Sequence, residues 1–518
     1  MKEKEKFYIT TAIPYANAKP HIGHAYEALL ADVMARYKRG SGADTFFLSG
    51  TAEHGEKIIR AAKKAGLGPQ AFVDGNVSEF LELYKKLDIS NDSFIRNSDK
   101  KQHWSGAQKL WTKLVESGDI YKKAYEGLYC VGCEKFVTEK DLVDGKCPYH
   151  DKAPEKVEEE NYFFRLSKYQ SKLIEILESG EIEILPQSRV NELLVFAKNG
   201  LDDVSFSRPE KSIPWGIPVP DDSTHMMYVW CEELSSYISA LGFGRKDDEN
   251  FKKYWPVDVH VLGKDILRFH AIVWPAMLLS AGLPLPKKIL AHGMITSAGK
   301  KMSKTIGNVV DADEYIDEFG VDALRVYLAR EISPFEDGDF TRDKFTEVYN
   351  ANLANGLGNL LSRTLKMSEQ YFEGSVARAQ DLDVPLKYPL ATVSGGQETE
   401  GFSIPYTVNN TIFPRYHEKM GSFKINDAAD EVWSLIGILD GYIADYEPFK
   451  LIKEDAVKTE NIIWNILYGL HYVSLMLEPF MPSTAHKIKE LLDVSLDEKG
   501  IPVSFKTKKV EEPLFIRK

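Results

Sequence analysis

The sequence predicts an α/β protein, with a Rossmann-like parallel sheet in its first part and a bundle of helices in its last third. Near the N-terminus a β-rich run, residues 7–11, is followed by a loop rich in Pro and Gly and then by apolar residues at helical spacing. The pattern repeats, because residues 44–49 predict a second buried strand and residues 55–66 an amphipathic helix. Strands that alternate with helices indicate a parallel sheet.

The pattern changes beyond Asp339, where three stretches carry apolar residues at the 3.6-residue period of a helix. These stretches are residues 352–365, 425–446 and 462–477, and they predict a helical bundle. Residues 381–420 contain several Gly and Pro residues and little periodicity, so they are predicted to form a long loop.

Composition describes a large globular protein. The 518 residues exceed what one hydrophobic core usually organises, and 43% are hydrophobic and 27% charged. No apolar run is long enough to cross a bilayer and the N-terminus MKEKEKF has no apolar segment, so we expect a cytoplasmic protein without a membrane partner. The net charge of −12 does not exclude a nucleic-acid partner, because a surface charge is felt over only about 8 Å at physiological salt.

Three of the four cysteines fall within 18 residues and predict a metal site. The sequence C-V-G-C is followed after 13 residues by C-P-Y-H, which offers three thiolates and one imidazole. A lone C-x-x-C is shared with redox motifs, but together with the second pair, C-x-x-H, it fits a tetrahedral zinc ion whose four protein ligands leave no open position for catalysis. The expected ligands of this structural Zn²⁺ are Cys130, Cys133, Cys147 and His150. Residues from Tyr121 onward, including the acidic run 155–160, are predicted to be loop-like.

The loop before the first helix ends in His21-Ile-Gly-His24. A helix N-terminus presents unpaired backbone N–H groups and a partial positive charge, which suit phosphate. The two imidazoles can donate hydrogen bonds to a triphosphate, and Gly23 leaves room for a flat base. The sequence therefore predicts ATP binding here. Far downstream, residues 300–305 (KKMSKT) would, by themselves, be a solvated lysine loop.

These two motifs, in this order and with α/β sequence between them, resemble the signature motifs of class I aminoacyl-tRNA synthetases. Around the first one, A-I-P-Y-A-N-A-K-P-H-I-G-H resembles the methionyl-tRNA synthetase family in particular. The resemblance implies ATP-dependent attachment of L-methionine to tRNA(Met) through methionyl-adenylate, with release of AMP and pyrophosphate and with Mg²⁺ accompanying ATP. It implies that the catalytic residues are His21, His24, Lys301 and Lys304, and that Gly23 and Lys304 also bind ATP.

The resemblance also implies a division of the chain into five segments. In order these are the first half of the catalytic domain, a zinc-bearing connective insertion, the second half of the catalytic domain, the lysine-loop and stem-contact region, and a helical anticodon-binding domain. Their expected bounds are 1–116, 117–224, 225–288, 289–348 and 349–518.

A methionine pocket is implied by the same resemblance. An unbranched thioether suits an apolar slot with aromatic walls, and the hydroxyl of Tyr15 or of Tyr237 could donate a hydrogen bond to the sulfur. Residues 226–230, which include one of the aromatic walls, are predicted to form a buried strand, where an aromatic residue is more often core than pocket. The implied methionine-binding residues are Ile13, Tyr15, Trp230, Tyr237, Ile266 and His270.

The chain departs from the family's pattern at two places near this pocket. Ala52 stands where the family usually has an Asp that holds the substrate's ammonium group, and Glu233 stands where the family commonly has a small residue. The lost acid and the gained one suggest the hypothesis that the ammonium partner has moved to Glu233.

In the helical part, the resemblance implies that Asn359, Arg363 and Phe449 contact the anticodon. Phe449 takes a place that is usually Trp, and stacking on a base survives that change. On composition alone, these are more often surface and core residues of a bundle. The sequence ends soon after the helices, without the dimerising module that some relatives carry, so we expect a monomer.

Three alternatives stay open at this point. Another class I synthetase for a small apolar amino acid would use the same two motifs. A homologue that binds tRNA without charging it would fit Ala52 and Glu233, although the intact His21, His24 and Lys304 argue against it. A small-molecule nucleotidyltransferase could use H-x-G-H, but it would leave the helical bundle unexplained.

Overall fold

The computed structural model describes residues 4–132, 135–137, 139–148, 151–302, 308–379, 384–387 and 402–518. The chain divides into two compact units, which we call the N-terminal unit (Met1–Met294) and the C-terminal unit (Ile295–Lys518). The finer division into five segments stays a prediction.

Strands of the N-terminal unit belong to a central parallel sheet and to smaller antiparallel sheets. They are β1 (Lys6–Thr10), β2 (Asp44–Thr51), β3 (Ser93–Arg96), β4 (Ile120–Cys130), β5 (Lys135–Val137), β6 (Glu155–Phe164), β7 (Glu183–Leu185), β8 (Val204–Ser205), β9 (Ser207–Pro209), β10 (Pro218–Val219), β11 (Asp222–Met227), β12 (Val259–Gly263) and β13 (Lys288–His292).

Helices of this unit include short and long ones. They are α1 (Ile22–Gly40), α2 (Glu56–Ala65), α3 (Pro69–Lys86), α4 (Ser105–Glu116), α5 (Gln170–Ser179), α6 (Ser188–Lys198), α7 (Val229–Leu234), α8 (Ser236–Ser239), α9 (Glu249–Tyr254) and α10 (Trp274–Ala281). Single π-helical segments precede α4 and α10, at Lys100–Trp104 and Phe269–Val273.

The central sheet has six described strands in the order β3-β2-β1-β12-β13-β7, and all its pairs are parallel. The direction of strand addition reverses between β1 and β12. In open α/β sheets ligands bind beyond the carboxyl ends of the strands at such a point. Burial of Phe7 to Thr10 along β1 fits a strand covered on both faces. The predicted α/β class with a Rossmann-like parallel sheet is confirmed.

The region predicted to be loop-like from Tyr121 onward is instead a sheet, so that prediction is wrong. Strands β4 and β6 pair antiparallel from Ile120 opposite Phe164 to Tyr129 opposite Glu155, with β5 and β8 at the edges. The acidic run 155–160 alternates between faces, which a reading of charge alone overlooked. Its inward residue Glu159 accepts hydrogen bonds from Arg208 Nε (2.5 Å) and Nη2 (3.0 Å).

Residues 226–230 do not form one strand, as the sequence predicted. Strand β11 ends at Met227, Tyr228 is extended at the helix N-cap, and Val229 begins α7. A short apolar run fits a buried strand and a buried helix equally well, so periodicity could not decide. As a consequence Trp230 and Glu233 lie on a helix.

The C-terminal unit is mainly helical, which confirms the predicted helical region. Its strands are β14 (Ile295–Ser297), β15 (Lys300–Lys301), β16 (Gly338–Asp339), β17 (Ser375–Ala377), β18 (Val494–Leu496) and β19 (Pro502–Lys506). Its helices are α11 (Ala312–Phe319), α12 (Val321–Glu331), α13 (Arg342–Val348), α14 (Asn359–Phe372), α15 (Ile404–Thr407), α16 (Phe413–Gly421), α17 (Ile425–Tyr446), α18 (Pro448–Leu451), α19 (Ala456–Leu477) and α20 (Pro482–Leu492).

The long loop predicted at 381–420 is wrong in its last part, since 404–420 is helical through α15, a π segment and α16. The missed signal is a buried residue at every fourth position. Two prolines in this stretch argue against a helix, but they stand at helix N-termini, where proline is tolerated. The buried residues are Ile404, Val408, Ile412, Tyr416 and Met420. Most of the preceding part, residues 381–383 and 388–401, lies outside the described residues.

Among the described residues, none of the helices combines the length and the apolar character that a bilayer crossing requires.

Two helical glycines of the N-terminal unit should respond oppositely to alanine. A Cβ at Gly106 in α4 would lie 2.5 Å from the Ser239 Cβ and 2.7 Å from the Phe243 carbonyl oxygen, whereas a Cβ at Gly75 in α3 would meet nothing within 4 Å. We expect Gly75→Ala to raise the free energy of unfolding by about 0.5–1 kcal/mol. Gly106→Ala should lower it by about 1–3 kcal/mol through overpacking. Thermal melting of both variants checks this, and equal melting temperatures would contradict the close approach at Gly106.

Candidate active site

The N-terminus of α1 is capped by the two histidines themselves. The Nδ1 atom of His21 accepts a hydrogen bond from the Gly23 N–H, and the Nδ1 atom of His24 accepts one from the His21 N–H, each at 3.1 Å. A Cβ at Gly23 would lie 2.8 Å from Cε1 of His21, so the cap requires glycine there. The helix begins at Ile22 and not after His24, where the apolar spacing placed it.

This cap determines which ring nitrogen carries the proton. An imidazole Nδ1 that accepts a backbone N–H has its proton on Nε2 in the neutral ring. Burial and the neighbouring charge of His21 hold the pKa of His24 well below its usual value, so His24 is neutral at physiological pH. The cap therefore leaves Nε2–H donors at a helix N-terminus, which is a suitable arrangement for phosphate oxygens.

The loops that follow the neighbouring strands β1 and β2 are joined by backbone hydrogen bonds. Ala52 N–H donates to the Pro14 carbonyl and Ala16 N–H donates to the Ala52 carbonyl, both at 2.9 Å. Ala52 is fully buried and forms an isolated parallel bridge with Tyr15. The methyl group of Ala52 thus lies beside one of the predicted pocket residues.

The carboxylate next to Ala52 is held by a bidentate ion pair. The Arg96 guanidinium donates to the two oxygens of the fully buried Glu53 at 2.9 and 2.7 Å, and Ser98 Oγ donates to it at 2.6 Å. The Trp215 indole N–H donates to the Glu53 carbonyl at 2.9 Å. Glu53 therefore fixes the loop after β2 and its charge is matched by Arg96.

Aromatic and aliphatic side chains from several segments form one hydrophobic cluster. Trp230 in α7 stacks on Phe269, with ring centroids 3.5 Å apart and an interplanar angle of 3°, and Tyr15 meets Trp230 edge to face at 6.5 Å. Ile266 packs in the same cluster. The structure thus brings together three of the residues that the sequence assigned to methionine.

The remaining three predicted pocket residues lie next to this cluster, in the larger core on which Tyr15, Ile266 and Phe269 also pack. Ile13 is buried in that core, and Tyr237 in α8 is hydrogen-bonded to His270 through Oη and Nε2 at 2.7 Å. The His270 Nδ1–H donates to the Ile266 carbonyl at 3.1 Å, so Nε2 is the acceptor and the Tyr237 hydroxyl is the donor. Burial lowers the pKa of His270 to about 4, and the ring is neutral.

Two adjacent glutamates on α7 are buried. Glu232 is 0% exposed and its carboxylate lies 2.9 Å from Nδ1 of His54. Glu233 is 3% exposed, and its charge contributes, after burial, to the raised pKa of the Tyr237 hydroxyl. Glu233 stands between Trp230 and Tyr237 in the sequence, on the two short helices that carry these predicted pocket residues.

The zinc and lysine-loop predictions fall partly outside the described residues. Cys133, His150 and Lys304 lie outside them, and Lys301 is described only by its backbone in β15. Cys130 and Cys147, which are described, are 3% and 2% exposed and share one cluster with Val137. The structure thus places two predicted ligands, 17 positions apart, in one buried cluster.

The predicted anticodon residues lie in the C-terminal unit. Asn359 is exposed at the first position of α14, and Arg363 on the same helix forms an ion pair with Asp440 of α17 at 2.6 Å. Phe449 lies in the short α18 and is 47% exposed, which is unusual for so large an apolar ring.

Sequence reasoning missed two features of the site. One is Phe269, which stacks on Trp230 although it stands beside the predicted His270 in the sequence. The other is the contact of Glu232 with two histidines, His54 and His103. No local pattern could reveal contacts between residues so far apart in the chain.

The comparison with protein families agrees with the fold and the site. The family model "tRNA synthetases class I (M)" matches residues 7–153 and 140–365. The parallel sheet, the capped H-I-G-H turn and this match define a class I aminoacyl-tRNA synthetase.

Individual relatives indicate which amino acid a synthetase of this kind attaches to tRNA. The methionine–tRNA ligase of Caldanaerobacter subterraneus subsp. tengcongensis is 44% identical over 496 residues, covering 95% of this chain and 75% of that protein. That of Thermotoga maritima is 41% identical over 502 residues, with 95% and 76% covered. A solved structure of Mycobacterium tuberculosis methionyl-tRNA synthetase in complex with methionyl-adenylate superposes with a TM-score of 0.90 at 34% identity, covering 99% of this chain and 100% of that one.

The chain belongs to the methionine–tRNA ligase family, and its activity is methionine–tRNA ligation. The predictions of the family, the enzyme class and the reaction are confirmed.

Proposed function

We propose that the residues beyond the carboxyl ends of β1, β2 and β12 bind methionine and ATP for the adenylation step of this activity. The observation that carries the proposal is that the loop after β1 supplies Tyr15 to an apolar aromatic cluster and ends at a helix N-terminus with two Nε2–H donors. In this step a carboxylate oxygen of methionine attacks the α-phosphorus of ATP and pyrophosphate leaves. A terminal ribose hydroxyl of tRNA(Met) then attacks the methionyl carbonyl, and AMP leaves.

The side chain of methionine is proposed to enter between Tyr15, Trp230 and Ile266. A thioether gains from apolar and aromatic contacts of this kind. Because the Tyr237 hydroxyl donates to His270, we assign the hydrogen bond to sulfur to Tyr15 and not to Tyr237. Ile13 would complete the apolar wall.

The phosphates of ATP are proposed to accept hydrogen bonds from Nε2–H of His21 and of His24. Such chemistry needs positioning and charge stabilisation more than covalent help, and preorganised donors supply both. Lys301 and Lys304 stay predicted catalytic residues. Mg²⁺ bound with ATP would neutralise phosphate charge, and no protein ligand is assigned to it.

The ammonium group of methionine requires a counter-charge when it leaves water for a buried pocket. Ala52 cannot provide one, and Glu53 is already matched by Arg96. We assign the ammonium contact to Glu233, which is buried and acts electrostatically on Tyr237.

A zinc ion held by Cys130, Cys133, Cys147 and His150 is proposed to stabilise the connective insertion. The donor set fits zinc, because thiolates and imidazole are its usual ligands and four of them close a structural site. The burial of Cys130 and Cys147 in one cluster supports the assignment.

Asn359, Arg363 and Phe449 are proposed to contact the anticodon of tRNA(Met). The exposed ring of Phe449, with the Lys450 ammonium 5.9 Å from its centroid, is suited to stack on a base beside a phosphate. The cytoplasmic location and the monomeric state stay predictions.

Amino-acid-dependent exchange of pyrophosphate into ATP tests the adenylation step. We expect exchange with methionine and none above background with leucine, isoleucine, valine or cysteine, because only an unbranched thioether fills the aromatic slot. Exchange with none of them, together with retained tRNA binding, would favour the non-catalytic tRNA-binding alternative.

Glu233→Gln tests the ammonium contact. Loss of one partner of a buried charge pair costs about 2–5 kcal/mol, so the dissociation constant for methionine should rise about 30-fold or more. The dissociation constant for 4-(methylthio)butanoate, which is methionine without its amino group, should not rise. Calorimetric titration of both ligands measures this, with the exposed Glu249→Gln as the matched control. An equal loss for both ligands would refute the contact, and the pair Ala52→Asp with Glu233→Ala should restore methionine binding.

Cys130→Ala tests the zinc assignment against Cys231→Ala, since both cysteines are buried but Cys231 packs in the main core. Metal analysis should find about one zinc per chain in the unaltered protein and in Cys231→Ala, and a loss of it in Cys130→Ala. No zinc in the unaltered protein would refute the four-ligand site, and so would full zinc content in Cys130→Ala.

A further inference from the structure

Glu232 is a buried carboxylate placed between two buried histidines. Its two oxygens lie 2.9 and 3.0 Å from Nδ1 of His54, and Oε2 lies 3.5 Å from Nε2 of His103. The side chains of Glu232 and His103 are 0% exposed and that of His54 is 2% exposed. A buried charge is tolerated only when it is paired, so these contacts hold the carboxylate in place.

The three side chains come from segments that are distant in the chain. His54 stands two residues after Ala52 in the loop that follows β2, and His103 lies in the π-helical segment Lys100–Trp104 that follows β3. Glu232 lies on α7, between Trp230 and Glu233. One carboxylate thus joins the loop after β2 and the π-helical segment after β3 to the helix that carries Trp230.

A hydrogen bond to His103 bears on which of its ring nitrogens carries the proton. His103 Nδ1 lies 2.8 Å from the Ser239 hydroxyl. When that hydroxyl donates to Nδ1, the proton of a neutral His103 is on Nε2 and faces Glu232. Burial raises the pKa of the Glu232 carboxyl, but His54 and His103 outweigh it and lower the pKa to about 2, so Glu232 is ionised at physiological pH.

The ring of His54 lies beside two tryptophan rings. Its ring meets Trp215 edge to face at 5.3 Å and Trp104 at 6.3 Å. Trp215 also donates to the carbonyl of Glu53 at 2.9 Å. The loop after β2 is therefore held from one side by Trp215, and its link to α7 is the Glu232 carboxylate.

We propose that Glu232 is a positioning residue for methionine, which holds the loop at Ala52 to His54 against α7 and thereby sets the distance between Tyr15 and the Trp230 and Glu233 side chains. This inference rests on the proposed methionine site. Glu232 makes no contact with the substrate in this scheme, and it acts through the segments that it joins. Misplacement of a binding group by about 1 Å can cost on the order of 100-fold in rate, so release of the loop from α7 should have a measurable consequence.

Glu232→Gln keeps the shape of the side chain and removes its charge. The amide NH₂ would then face an imidazole N–H, so one histidine must turn away and the loop is released. In methionine-dependent pyrophosphate exchange we expect the KM for methionine to rise about 10- to 100-fold, while kcat and the KM for ATP change less than about 3-fold. Glu232→Asp, which keeps the charge but shortens the reach, should show a smaller rise of the same kind.

Glu431→Gln is the matched control. Glu431 in the C-terminal unit is 3% exposed and is paired with Arg415 at 3.0 Å and with Lys419, so its substitution also removes a buried charge from two basic partners. It should leave the KM for methionine unchanged. If Glu232→Gln raises that KM no more than Glu431→Gln does, the positioning role is wrong. It is also wrong if Glu232→Gln lowers kcat and changes the KM for methionine and the KM for ATP by the same factor.

Two further readouts keep the outcomes distinct. If Glu232→Gln does not fold, Glu232→Asp and His103→Gln carry the test, and a uniform loss of activity without a selective rise in the KM for methionine refutes the inference. Absence of methionine-dependent exchange in the unaltered protein would contradict the proposed function itself, whereas an active protein that is insensitive at Glu232 contradicts only this inference.

Discussion

The pairing of β1 with β12 is the constraint on which the rest of the site depends. It joins Ile9 to Val259 and Thr10 to His260, so residues 250 positions apart become neighbours in one parallel sheet. The loops after these two strands then leave the same edge of the sheet, at the point where the strand order reverses and where open α/β sheets bind ligands. Glu27 of α1 reinforces this edge, because its carboxylate accepts the N–H of Ala12 at 3.0 Å and the N–H of Gly263 at 3.2 Å.

Near this edge of the sheet, buried charges are paired and buried histidines without an acidic partner stay neutral. Glu53 is matched by Arg96, and Glu27 lies 3.1 Å from Nε2 of His292, whose pKa burial would lower but Glu27 raises. By contrast the rings of His24 and His270 are kept neutral by burial. A neutral imidazole is both a donor and an acceptor. The His24 ring accepts the N–H of His21 in the cap of α1, and the His270 ring accepts from the Tyr237 hydroxyl while its Nδ1–H donates to the Ile266 carbonyl.

The sequence predicted well where a local pattern reports a local structure. The strand, turn and helix around His21 follow from a β-rich run, a Pro- and Gly-containing loop and an apolar stripe, and the parallel sheet follows from repetition of that unit. The prediction was wrong around Trp230, where a short apolar run fits both a strand and a helix. It was also wrong from Ile404 onward, where two prolines obscured a helical pattern of buried residues at every fourth position. The prediction of a loop at residues 155–160 was wrong for a third reason. Charge indicates that a segment is solvated, but it does not indicate whether its backbone pairs with another strand.

Contacts between residues far apart in the chain could not be predicted from local patterns. Glu232 and His54 are separated by 178 positions, and neither residue type nor spacing distinguishes this carboxylate from its neighbour Glu233. Only the fold does so, because on a helix adjacent side chains project about 100° apart and cannot serve the same partner. One glutamate of the pair is therefore committed to two histidines of the scaffold. The other, Glu233, projects from a different side of α7, and its charge adds to the effect of burial in raising the pKa of Tyr237.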